Sequence, residues 1–97
     1  MHAKRSGDPT IEQLLGVIMK LRDMDECYGF FEDLATPKEL QTLSQRLEVA
    51  KMLLNGSTYM EIEAETGAST AIISRVKRSL HHGNGSYRLM LSRLEQQ

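Results

Sequence analysis

The same helix-start signal occurs twice in the middle of this chain, as Thr36-Pro37-Lys38-Glu39 and as Thr58-Tyr59-Met60-Glu61. In each, a threonine stands three positions ahead of a glutamate. The hydroxyl can accept from the third helical N–H, and the carboxylate can reach back to the threonine's own N–H. Pro37 suits the first helical position, where its missing donor costs nothing. Gly56 lies between the two signals, and glycine is the residue type that ends helices in the left-handed conformation. A helix from Pro37 to about Asn55 is therefore bounded at both ends, and a second follows at once.

The rest of the chain reads the same way. Asp8-Pro9-Thr10 is a further start, and Ile11, Leu14, Leu15, Ile18 and Leu21 then recur at helical spacing, predicting a helix from about Thr10 to Arg22. Asp23-Met24-Asp25 interrupts it, and Cys27, Phe30, Phe31 and Leu34 form a shorter apolar stripe. The helix opened by Thr58 ends at Gly67. Ser69 can cap another that runs to about Leu80, and His81-His82-Gly83-Asn84-Gly85 has the composition of a loop. Tyr87, Met90, Leu91 and Leu94 mark a last helix. No alternating strand pattern is present. The expected fold is all-α, with six short helices, a flexible arm over residues 1–9 and a single domain over 10–97.

These helices are poorly suited to standing alone. The one from Pro37 carries Leu40, Leu43, Leu47, Ala50 and Leu54 along one stripe and Val49, Met52 and Leu53 on a second, too much apolar circumference for a surface helix. It reads as a central buried element. A chain of 97 residues builds only a modest core, so a partner subunit is expected to add to it.

The formal net charge of -1 conceals an asymmetry. Residues 1–67 hold seven Lys or Arg and twelve Asp or Glu, whereas residues 68–97 hold five cations and, as anion, Glu95 alone. A basic C-terminal third suits a nucleic acid or an acidic partner. The single Cys27 cannot close an internal disulfide, no apolar leader follows the basic start, and no apolar run is long enough to span a membrane. A cytoplasmic protein is the expectation.

Residues 58–80 have the layout of a helix-turn-helix: a short helix with Ile62 as its apolar contact, a turn at Thr66-Gly67-Ala68, and a second helix with Ile72, Ile73, Val76 and Leu80 on one side. An ordinary helical corner would also account for the glycine and the apolar spacing. The polar side of the second helix favours DNA. Ser69, Thr70 and Ser74 can meet base edges or phosphates, Arg75, Lys77 and Arg78 can displace counterions, and Tyr59 can touch a phosphate. Glu61, Glu63 and Glu65 on the first helix act against close approach to the backbone.

TPKELQTLSQRLEVAKMLLNG followed by TYMEIEAETGASTAIISRVKRSL resembles the central region of the Trp repressor superfamily, and the chain is most similar to its YerC/YecD-type members. The resemblance covers residues 36–80 and, in helix order, most of the rest. It implies an intertwined homodimer that places two copies of the second helix in successive major grooves of a pseudo-palindromic operator, about 34 Å apart. The implied function is a sequence-specific transcriptional regulator of the repressor type. It also implies an effector pocket built from Thr36, Arg46, Arg75 and Ser79. Val76 stands where the family keeps a glycine beside the indole, Ala50 replaces a larger aliphatic, and Glu63 occupies the place of a DNA-contacting lysine. Tryptophan is therefore not the expected ligand, and an unidentified small anion takes its place among the candidate partners.

Other chemistry finds no support. His81 and His82 are adjacent and diverge on any helix, and Cys27 lies far upstream, so no metal set forms. GNGSY lacks the nucleophile-elbow pattern, and phosphate-loop and dinucleotide motifs are absent. Neither an enzyme nor a cofactor is expected. The competing reading is a helical protein–protein interaction module that offers its basic C-terminal third to an acidic partner.

Overall fold

The computed structural model describes residues 7–96, and among them six α-helices and no strand are found. The helices are α1 (Pro9–Ile18), α2 (Met24–Leu34), α3 (Pro37–Leu54), α4 (Tyr59–Thr66), α5 (Thr70–His82) and α6 (Ser86–Glu95). Among the described residues no helix is long and apolar enough to cross a membrane. Residues 1–6 of the expected N-terminal arm lie outside the described residues. The chain forms two compact units, Met1–Leu40 and Gln41–Gln97, with the division inside α3.

In the first unit a polar side chain caps each helix start. Asp8 caps α1 by accepting from the Thr10 amide at 2.8 Å and the Thr10 hydroxyl at 2.6 Å. The hydroxyl bond, followed by the amide, holds the Asp8 carboxyl below the ordinary aspartate range. α1 ends at Ile18 rather than near Arg22 as the apolar spacing predicts. The chain tightens there into short-range bonds, Lys20 N–H to the Val17 carbonyl and Leu21 N–H to that of Ile18. Arg22 already belongs to the start of α2. Its N–H donates to Glu26 at 2.9 Å while Asp23 accepts from the Glu26 amide. Thr36 and Glu39 form the expected reciprocal cap, at 2.8 and 3.0 Å. Phe30 and Phe31 meet edge to face at 5.4 Å. Neither α1 nor α2 has a buried residue.

The second unit contains the core. Val49 and Ala50 of α3, Ile62 of α4, Ala68 of the turn, and Ile73 and Val76 of α5 are buried together. Met52, Leu53, Tyr59, Ile72, Leu80 and Tyr87 pack around them half-buried. α3 stops as expected at Gly56 (φ 86°), with Ser57 N–H bonded back to the Met52 carbonyl and Gly56 N–H to that of Leu53. α5 runs through His81 and His82, which the sequence reading places in a loop. Histidines are compatible with a helix C-terminus, where a ring N–H can meet free carbonyls.

The burial pattern ranks the side chains energetically. Replacing Ile73 with Ala removes methylenes from a fully enclosed position and should cost about 2–5 kcal/mol in urea unfolding. Met60→Ala, at a side chain 79% exposed, should change stability by less than about 0.5 kcal/mol. Equal losses would contradict the assigned core.

Candidate nucleic-acid interface

α4 and α5 are joined through Gly67, Ala68 and Ser69. Thr58 and Glu61 form the reciprocal cap that opens α4, with the Thr58 amide donating to the carboxylate at 2.7 Å and the Glu61 amide to the threonine hydroxyl at 3.1 Å. Glu61 is thus turned back on its own helix end. α4 closes on Gly67 in the left-handed conformation (φ 74°), which a side chain would strain even with open space around it. Ser69 restarts the chain by capping the Ile72 amide at 3.2 Å.

Two further bonds lock the turn. The Thr66 hydroxyl donates to the Ile62 carbonyl at 2.7 Å and accepts from the Ala68 amide at 3.1 Å. Gln45 of α3 donates through Nε2 to the Thr66 carbonyl at 3.0 Å, tying the core helix to the end of α4. Gln45 is not among the residues that sequence reasoning selects. Its one signal is a position a helical turn ahead of buried Val49, on the inward stripe of α3.

α5 is anchored on one side by Ile73 and Val76 and leaves the other open. Ser69, Thr70, Ser74, Arg75, Lys77 and Arg78 are all exposed. At about 100° per residue, Ser74 and Arg78 point most directly outward, with Thr70 and Lys77 on one flank and Arg75 and Ser79 on the other. Three of the expected DNA contacts come together. The Tyr59 hydroxyl lies 3.3 Å from the Ser74 hydroxyl, and Lys77 Nζ sits 5.7 Å above the Tyr59 ring. Tyr59 is half-buried, so its ring supports Lys77 and Ser74 while its hydroxyl edge remains on the surface.

The residues expected to form an effector pocket are differently disposed. Arg75 and Ser79 share a flank of α5 and are exposed, and Arg46 is half-buried on α3. Thr36 belongs to the first unit, where its hydroxyl accepts from the Glu39 amide. Val76, the branched residue beside Arg75, is 3% exposed and packed into the core.

An all-helical chain with this turn and this exposed second helix is a helix-turn-helix protein. The Trp repressor protein family model matches residues 9–95, and the chain belongs to that family, one of DNA-binding regulators. Protein YerC of Bacillus subtilis (strain 168) is 56% identical over 86 residues, which span 89% of this chain and 83% of YerC. A TrpR-like protein from Eubacterium eligens ATCC 27750 superposes with a TM-score of 0.88 at 52% identity, covering 92% of each chain. A structure from Staphylococcus aureus gives 0.86, also at 52% identity, over 91% of this chain and 88% of that one.

Removing the Gln45 side chain should cost about 1–2 kcal/mol through the loss of a partly buried hydrogen bond. It should also loosen the turn. In Gln45→Ala the amides of Gly67 and Ala68 should exchange with solvent faster than in the parent, with core amides less affected. A uniform change across the second unit would deny Gln45 this positioning role.

Proposed function

We propose that this protein is a sequence-specific transcriptional regulator that binds a pseudo-palindromic operator as a homodimer, with α5 in the major groove. The observation that carries this reading is the division of α5 and its N-cap into a buried apolar side and an exposed side bearing three hydroxyls and three cations between Ser69 and Arg78. Ser69, Thr70 and Ser74 read bases or phosphates, and Arg75, Lys77 and Arg78 supply the salt-sensitive attraction. Tyr59 braces the site from α4.

The exposed apolar surface supports a dimer. Ile11, Leu14, Leu15 and Leu34 of the first unit are all exposed, as are Leu43 and Leu47 of α3 and Leu89, Met90 and Leu94 of α6. Two helices without a buried residue do not hold themselves folded, and mutual burial between chains supplies what each lacks. Tryptophan is not the effector in the repressor's manner: Val76 carries a branched side chain where the family keeps a glycine, and the core holds it in place. Arg46, Arg75 and Ser79 of the second unit remain candidate groups for another small anion.

The test is DNA affinity as a function of salt, using duplexes selected from a random pool and scrambled controls. The selected duplex should bind at least about a thousandfold more tightly than the control. Lys77→Ala and Arg78→Ala should each reduce the salt slope by about 1. Added L-tryptophan should leave the curves unchanged. Unaltered DNA retention by the Arg75→Ala, Lys77→Ala, Arg78→Ala triple variant would sink the groove reading and favour the acidic-partner module.

A further inference from the structure

On the flank of α5 away from Arg75 and Ser79 lies a cavity of about 230 Å³ that shares Tyr59 and Lys77 with the proposed DNA surface. It sits where α3 ends, α4 begins, α5 makes its last turns and α6 starts. Leu53, Leu54 and Leu80, all half-buried, provide an apolar floor, and Ser57 and Tyr59 add polar edges. Lys77, His81 and Arg88 complete the lining, which includes no carboxylate. Two helices end at this cavity and two begin there, so the partial charges of their termini oppose one another and the side chains set the sign. That sign is positive, with His81 adding to it when protonated. Arg88 also lines an adjoining depression that contains Glu95, the nearest acidic competitor for its charge among the lining residues of the two.

We propose that this cavity binds a small organic anion, an apolar body carrying a phosphate or carboxylate group, and that its occupancy opposes DNA binding through Lys77. The leucine floor argues for an apolar body, since a bare oxyanion or a backbone phosphate would gain nothing from it. Lys77 and His81, four residues apart, lie on one flank of α5, roughly 160° around the helix from the flank of Arg75 and Ser79. The site is therefore separate from the effector pocket that the family resemblance implies. Lys77 rests over Tyr59, and Tyr59 in turn meets Ser74. An anion that draws the ammonium group into the cavity takes it from the DNA-facing surface, and DNA must by linkage weaken the anion equally. The binding itself is independent of the DNA reading, while the coupling rests on it.

Phenyl phosphate and inorganic phosphate, titrated at matched ionic strength into the full chain, are the probes. Backbone-amide NMR should show saturable shifts around Lys77, His81 and Arg88, with phenyl phosphate binding about tenfold or more tightly than inorganic phosphate. His81→Gln and Arg88→Gln, shown to be folded by thermal melting, should each weaken binding by about fivefold. In the DNA assay, saturating phenyl phosphate should lower the parent's affinity about fivefold, and Arg88→Gln should need about fivefold more of it for the same effect. Absence of saturable shifts, or equal affinity for the two probes, would overturn the proposal whatever the DNA result. A fall in DNA affinity and salt slope in Arg88→Gln without ligand would overturn it too, making the cavity a seat for the DNA backbone. If the parent binds no DNA while the shifts saturate, the operator reading fails and the anion site stands.

Discussion

Burial of Ile73 and Val76 against Val49, Ala50 and Ile62 fixes the rotation of α5 about its own axis, and what that helix can offer a partner follows from it. A turn of about 100° either way would bury Ser74 or Arg75 and expose an isoleucine. With the apolar side held, the hydroxyls and cations have no choice but to face outward. The left-handed Gly67 and the Gln45–Thr66 bond then fix the angle at which α4 hands the chain to α5. These are short-range constraints, and together they turn a marginally basic helix into a presented surface.

Much of this was legible because helix ends are local chemistry. Thr36 with Glu39, Thr58 with Glu61, Ser69, Gly56 and Gly67 each act within a few residues of themselves, so their meaning survives without knowledge of the fold. The anchoring stripe of α5 was readable for the same reason. The failures share an opposite cause. Apolar spacing carried α1 on to Arg22, yet Glu26 claims the Arg22 amide for α2, and loop-like composition hid the helical state of His81 and His82. Gln45 acts on Thr66 across a distance of 21 residues in sequence, and Arg88 meets Lys77 only through the cavity between them. Pairings of that kind are set by tertiary packing and leave little trace in a linear pattern.

The acidic first part and the basic last part of the chain also acquire a division of labour. Glu61, which on sequence grounds would repel phosphates, is occupied by the N-terminus of its own helix. The first unit presents apolar stripes on α1 and α2 in which no residue is fully buried, which suits the interface of the proposed dimer better than a recognition surface. In the proposed dimer, the first unit and the exposed leucines of α3 and α6 supply stability, and the helix-turn-helix supplies selectivity. Ligand control would then operate on cations at the edge of α5, where a small displacement of charge changes affinity without unfolding anything.

The account's central claim is that two copies of α5 enter two successive major grooves of one duplex. Protection of guanine N7 from dimethyl sulfate on a selected operator reports that most directly, because N7 lies in the major groove. The account predicts two protected blocks whose centres lie about 10–10.5 base pairs apart, one on each side of the operator's centre of symmetry. A single block, or a bound duplex with its guanine N7 atoms fully reactive, would contradict it.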